Sequence, residues 1–221
     1  MVRIAIRCSF SPRVQRIRAY PTESRHDVRQ WKWTRVKHSY TVEELLSLYE
    51  EKGDGKYGEA ISQTEHALQC AALAKKDGAP EAMIAAALLH DVGHLLADLQ
   101  NEHRFDIEMD DDSHESLGAR VLSPIFGPEV ARPVALHVMA KRWRCTVDPD
   151  YYATLSATSR ASLQAQGGLL SPDVAKRFEE HPGFQSALAL RSWDEDAKVE
   201  GLDSGNLRDY EQLLTRLSSA R

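Results

Sequence analysis

Cysteine is scarce in this chain of 221 residues: Cys8, Cys70 and Cys145 are the only three, and none stands in a C-x-x-C or zinc-ribbon spacing. Neither a disulfide framework nor a thiolate metal site is indicated, and a reducing, cytoplasmic setting is the simplest reading. Long apolar runs are missing too. Nothing approaches the ~20 residues needed to span a bilayer, and the N-terminus lacks the apolar core of a secretory signal, so a soluble protein with no membrane partner is expected. Strand-like alternation and internal repeats are also absent, which leaves a helical architecture as the expectation.

Acidic residues are scarce at one end only. Residues 1–38 hold ten of the 28 Lys and Arg but only Glu23 and Asp27 of the 33 acids, a local charge of +8; residues 39–221 keep 18 basic and 31 acidic side chains, or −13. Such a leader can be an organelle transit peptide or a nucleic-acid arm. Apart from Trp31 and Trp33 it has no periodic apolar pattern, so it is read as a dispensable extension, disordered or owed to a start codon placed too far upstream. No nucleic-acid partner is expected. The hydrophobic share of 42 % is enough for one cored domain over residues 39–221.

From Tyr40 onward the chain reads as helices. Thr41 with Glu44 and Ser62 with Glu65 form capping boxes, and the second opens a helix that runs towards Gly78 with His66 in its first turn. Pro80 is expected as the first residue of the next helix, whose apolar run Met83–Leu89 looks buried all round and carries His90-Asp91 in its C-terminal half. Ser113 is expected to cap a helix that carries His114 and ends near Gly127, and Pro128 to start one that carries His137 and Lys141 four residues apart on one face. Further helices are expected at about 150–165, 172–181, 184–198 and 206–218.

Six potential metal donors recur in the order His66, His90-Asp91, His114, His137, Asp194. The first intervals are 24, 23 and 23 residues, and Asp194 lies 57 beyond His137. Imidazole and carboxylate favour iron, manganese or zinc over the soft metals that thiolates select. An adjacent His-Asp pair can put its imidazole on one ion while its carboxylate bridges to a second. The expected division is His66, His90, Asp91 and Asp194 on one ion, and Asp91, His114 and His137 on the other, with coordination positions left open. His90, Asp91 and His94 interrupt an apolar stretch, where burying them unpaired would cost several kcal/mol each; metal ligation removes that penalty. His26, His38, His103 and His181 are set aside as ordinary solvated or capping residues. The acid run Asp106–Asp112 is read as a solvated loop, since it lacks the features of an EF-hand.

The donor series centred on His-Asp-Val-Gly-His resembles the HD-domain superfamily. The stretches 57–69 (YGEAISQTEHALQ), 137–142 (HVMAKR), 166–168 (QGG) and 191–194 (RSWD) further resemble the phosphonate-degrading HD-domain oxygenases, relatives of myo-inositol oxygenase. The resemblance spans about residues 56–198. It implies an all-α HD-domain bundle with a buried dinuclear site, two iron ions in a mixed-valent Fe(II)/Fe(III) state, and dioxygen as co-substrate. The implied reaction is oxidative cleavage of the C–P bond of a 1-hydroxyalkylphosphonate. The first expectation for that small-molecule partner is 2-amino-1-hydroxyethylphosphonate, giving glycine and phosphate, and the second is its trimethylammonium analogue.

By the same resemblance His94, Lys141, Ser159, Ser162 and Arg191 hold the phosphonate, and Tyr57, Glu59 and His94 act at the reacting end. Lys141 follows His137 by four residues and Arg191 precedes Asp194 by three, so helical geometry sets both cations beside ligands. Glu59 offers acceptors to a primary ammonium, and Tyr57, Glu59 and Trp143 are available to the group at C2. The family's tyrosine stands three residues before this glutamate; here Lys56 occupies that place and Tyr57 stands two before Glu59. Two further readings remain open: a metal-dependent HD phosphohydrolase acting on a nucleotide or phosphate ester through metal-activated water, and an inert, metal-stabilised regulatory domain.

Overall fold

A computed structural model of the chain describes residues 39–56, 60–101 and 114–220. Among these residues there is no strand. Helix α1 spans Val42–Lys52 and α2 spans Gln63–Lys76, each opened by the expected capping box at Thr41 or Ser62. Then come α3 (Glu81–Leu89), α4 (Val92–Asn101), α5 (His114–Phe126) and α6 (Pro128–Val147). The C-terminal part adds α7 (Pro149–Thr154), α8 (Ala157–Ala165), α9 (Pro172–Glu179) and α10 (Phe184–Asp196), then a 3-10 turn at Leu207–Tyr210 and α11 (Glu211–Ser219). The extension 1–38, the acid run 106–112 and Ser113 lie outside the described residues.

Three local expectations are corrected. Pro80 is the N-cap of α3, at φ −56° and ψ 150°, and not its first helical residue. The His-Asp pair does not ride on a continuous helix: α3 stops at Leu89, His90 and Asp91 form a break, and α4 leaves at 40° to α3. Adjacent residues of a regular helix point ~100° apart, so a break is needed to turn both side chains into one site. The helix expected at 150–165 is two helices, because Leu155 is extended and Ser156 recaps the chain by accepting from the Ser159 amide at 3.0 Å.

Helix α3 is the centre of the bundle, flanked by α2, α6, α10 and α11. Its residues Ile84–Leu89 are all buried, with Ala85, Ala86 and Ala87 letting neighbouring backbones approach and Leu88 and Leu89 filling the space between them. Burying a leucine contributes about 1.5–3 kcal/mol, so this short helix is held by tertiary packing more than by its own propensity. Tyr49 of α1 fixes its end by donating to the Leu88 carbonyl at 3.2 Å. Gly127, at φ +83°, makes the turn that folds α6 back along α5, and Pro128 starts α6 where an amide hydrogen has no helical partner to lose. No single helix among the described residues is long and apolar enough to cross a membrane.

Candidate active site

Four helices and the α3–α4 break bring the six predicted donors together around one cavity of about 610 Å³. His66 comes from the first turn of α2, His90 and Asp91 from the α3–α4 break, His114 from the first residue of α5, His137 from the middle of α6 and Asp194 from α10. Asp91 divides the cluster. Its Oδ2 lies 3.3 Å from His90 Nε2 and 3.8 Å from His66 Nε2, while Oδ1 lies 3.6 Å from His137 Nε2 and 3.8 Å from His114 Nε2. On the first side Asp194 Oδ1 closes the group, 3.3 Å from His66 Nε2 and 3.9 Å from His90 Nε2. On the second side His114 Nε2 and His137 Nε2 are 3.3 Å apart.

Three of the imidazoles are aimed by the backbone. The Nδ1 atoms of His66, His90 and His137 lie 2.7, 2.9 and 2.7 Å from the carbonyl oxygens of Ala197, Ala87 and Val134. A carbonyl only accepts, so each Nδ1 carries a hydrogen and each Nε2 faces the cluster, where its lone pair would serve a metal. The fit to a metal can be tested on His90, whose Nε2 is fully buried and makes no hydrogen bond. An orphaned buried acceptor costs about 1–3 kcal/mol, and coordination removes that penalty. Nitrogen and carboxylate donors of this kind fit iron, manganese or zinc. Among the described residues the clusters with metal-ligand geometry are Asp91, His114, His137 and also His66, Cys70, His90, the donor atoms of each group lying within 4.8 Å of one another. Sequence reasoning had no place for Cys70; its Sγ lies 3.7 Å from His66 Nε2 because residues four apart share a helix face.

Electrostatics keep the carboxylates ionised. Burial opposes the charge on Asp91, but the surrounding His90, His94, His137 and His114 hold its carboxyl far below the usual range. Asp194 is likewise held well down against burial, chiefly by Arg191 and then by His66. Burial, reinforced by His90 and His114, pushes the His137 imidazole down to about 3, so the ring is neutral and available as a donor.

Cations line the same cavity. Arg191 is buried and reaches three partners: Nε donates to the Tyr151 hydroxyl at 3.0 Å, Nη1 to Asp194 Oδ2 at 2.5 Å, and Nη2 to Glu195 Oε2. A guanidinium has five N–H donors, so two remain for a ligand. Lys141 donates to Ser162 Oγ at 2.5 Å, and burial together with Arg191 pushes its ammonium down to about 8. Ser159 is buried beside it in the first turn of α8. His94 stacks on His114, with ring centroids 3.9 Å apart, and lines the same cavity.

The cavity also exposes residues the sequence reading missed, among them Gln63, Asp98, Thr158 and Lys198. Lys198 lies two residues beyond the end of α10 and outside any helix, so no helical spacing in the sequence flags it. Trp143 does not line the cavity; it packs edge-on against Phe184 at 4.9 Å and donates to Glu179 at 3.0 Å, away from any substrate. Tyr57 and Glu59 lie outside the described residues.

An all-helical bundle whose central helix breaks at a His-Asp pair, with further histidines and an aspartate gathered round it, is an HD domain. The HD-domain family model matches residues 35–162, and the chain belongs to that family. Within it the chain belongs with the phosphonate oxygenases. It is 43 % identical over 169 residues to the hydroxymethylphosphonate dioxygenase of Gimesia maris, covering 76 % of this chain and 84 % of that one. It is 32 % identical over 185 residues to the [1-hydroxy-2-(trimethylamino)ethyl]phosphonate dioxygenase (glycine-betaine-forming) of Leisingera caerulea, covering 83 % and 93 %.

Proposed function

We propose that this protein is an oxygen-dependent enzyme that cleaves the C–P bond of a 1-hydroxyalkylphosphonate at a pair of iron ions. The observation that carries the reading is the division of the Asp91 carboxylate between two imidazole pairs in a cavity that Lys141 and Arg191 also line. His66, His90, Asp91 and Asp194 would hold one ion, and Asp91, His114 and His137 the other. Bound iron would supply the redox chemistry that passes the substrate's electrons to dioxygen and the Lewis acidity that binds a hydroxyl.

The chain's own residues supply placement. Lys141, Arg191, Ser159 and Ser162 hold the phosphonate oxygens through charge-assisted hydrogen bonds, which orients the C–P bond towards the donor cluster. Tyr151 and Glu195 lock the Arg191 fork in that orientation. His94 is placed to bind the phosphonate and to exchange a proton at the reacting end, and Tyr57 and Glu59 keep the roles at that end that the family resemblance implies.

For the substrate we propose hydroxymethylphosphonate first, which with one dioxygen gives formate and phosphate in atom balance. Two observations support this order. The relative that acts on this compound shares 43 % identity against 32 % for the one acting on the trimethylated compound. The described lining of the cavity includes no Phe, Tyr or Trp side chain to box a trimethylammonium group. The 2-amino-1-hydroxyethylphosphonate expected from the sequence rests on Glu59 and becomes the second candidate.

The test is phosphate release and oxygen uptake from the three compounds, at matched concentrations, with iron-loaded enzyme and a mild reductant. One oxygen per phosphate, with a mixed-valent signal in electron paramagnetic resonance after partial reduction, is the expected result. Full activity with zinc or manganese and no oxygen uptake would return the protein to the phosphohydrolases, a reading the dioxygenase relatives do not favour.

A further inference from the structure

We propose that Lys198 is a third cationic contact for the substrate's phosphonate group, working opposite Lys141 across one face of α8. Lys141 Nζ donates to Ser162 Oγ at 2.5 Å, and Lys198 Nζ donates to Ser159 Oγ at 3.5 Å. Ser159 and Ser162 are three residues apart on one helix, so their hydroxyls share a face, and the Ser162 hydroxyl is tied to the Ser159 carbonyl at 3.2 Å. Two lysines thus bracket a two-serine ledge across the first two turns of α8, whose N-terminal end adds positive potential. All four residues line the active-site cavity together with Arg191.

Lys198 is not held there by chance of rotamer alone, because the backbone on both sides is pinned to α2. The preceding residue, Ala197, accepts from His66 Nδ1 at 2.7 Å. The following residue, Val199, is clasped by the Gln69 side chain, whose Nε2 donates to the Val199 carbonyl at 2.8 Å while its Oε1 accepts from the Val199 amide at 3.0 Å. The same short segment therefore orients a metal-donor histidine and projects a cation into the cavity. Arg191 is partly neutralised by Asp194 and Glu195, and the two lysines rest on serine hydroxyls; a dianion with three oxygens, set among them, can take one contact from each cation.

The assignment rests on the phosphonate reading of the cavity, and its test separates the two. Iron-loaded protein in the absence of oxygen is titrated calorimetrically with inorganic phosphate and with methylphosphonate, which lacks the C1 hydroxyl. Lys198→Gln should weaken both anions about tenfold, with Lys198→Arg within about threefold of the parent. Independently of any variant, saturating methylphosphonate should slow acetylation of Lys198 in the parent protein severalfold, read by mass spectrometry of the peptide. Unchanged anion affinity in Lys198→Gln, or unchanged labelling of Lys198 at proven saturation, would overturn the proposal. If the anions bind as expected but no 1-hydroxyalkylphosphonate consumes oxygen, the Lys198 contact stands and the proposed reaction does not.

Discussion

Gly93 and His114 approach so closely that a β-carbon on the glycine would stand 1.9 Å from the histidine's carbonyl oxygen. This contact docks the start of α4 on the start of α5, and so sets the first residue of α5 beside Asp91. The clash would be with backbone, which no side-chain rotation can relieve.

Gly93→Ala is therefore expected to destabilise the protein by about 1–3 kcal/mol or more and to weaken the metal site built on His114. At Gly118, the facing glycine of α5, a β-carbon would meet its nearest atoms at 3.4 Å, ordinary contact, so Gly118→Ala should be close to neutral or stabilising by up to ~1 kcal/mol through helix propensity. Thermal denaturation of the two variants checks the opposite signs, and equal melting temperatures would contradict the packing argument.

Asp91 and His137 should differ in metal stoichiometry. Asp91 serves both donor groups, so Asp91→Ala should leave neither ion tightly bound, while His137→Ala should keep the ion held by His66, His90, Asp91 and Asp194. Both variants should retain the helical spectrum and lose turnover at least a hundredfold. Metal analysis after desalting reads the difference; an intact pair of irons in Asp91→Ala would rule out its bridging position.

The pH profile should carry the signature of Lys141. Its ammonium is held down to about 8 by burial and by Arg191, so it is charged below that pH and loses its charge above it. For a phosphonate substrate kcat/KM should stay level below about pH 8 and fall up to tenfold per unit above it. In Lys141→Arg, which stays charged, this falling limb should vanish even if the overall rate drops. A limb that persists at the same pH assigns the titration to another group.

Metal-free protein should be sensitive to acid through His137. Its folded-state value of about 3 lies below the 6.5 of a free histidine, so as pH falls through 6.5 the unfolded chain takes up a proton that the folded chain refuses until about 3. Stability attached to this residue is thus present above pH 6.5 and lost progressively below it. His66 is shifted upward, against the pull of burial, by Cys70 and Asp194, and works in the opposite direction. The clean measurement is a difference: between pH 7 and 5, metal-free wild type should lose about 2 kcal/mol relative to His137→Gln in urea unfolding. Parallel pH dependences would show that the ring is not held neutral.

Much of the architecture was legible before any coordinates. Thr41-x-x-Glu44 and Ser62-x-x-Glu65 marked helix starts because a capping box is a local device: its hydrogen bonds, 3.1 and 3.0 Å in the first box and 3.2 and 2.7 Å in the second, lie within three residues. The pairing of Lys141 with His137 and of Arg191 with Asp194 followed from helical spacing alone. The break at His90-Asp91 was not legible, because an apolar run with no glycine or proline before Gly93 reads as one continuous helix.

The sequence by itself determined most of the helices, the two capping boxes and which side chains are candidate donors, since these depend on propensity, short-range hydrogen bonds and the chemistry of single side chains. Only the tertiary structure decided that one oxygen of Asp91 faces His66 and His90 and the other faces His114 and His137, that Cys70 sits beside the first group, that Trp143 faces away, and that Lys198 enters the cavity. Those outcomes depend on how α2, α6 and α10 pack round α3 and how α5 packs on α4 and α6. Packing is set by contacts between residues far apart in the chain, such as His66 with the Ala197 carbonyl 131 positions on, and no local pattern in the chain encodes distances of that kind.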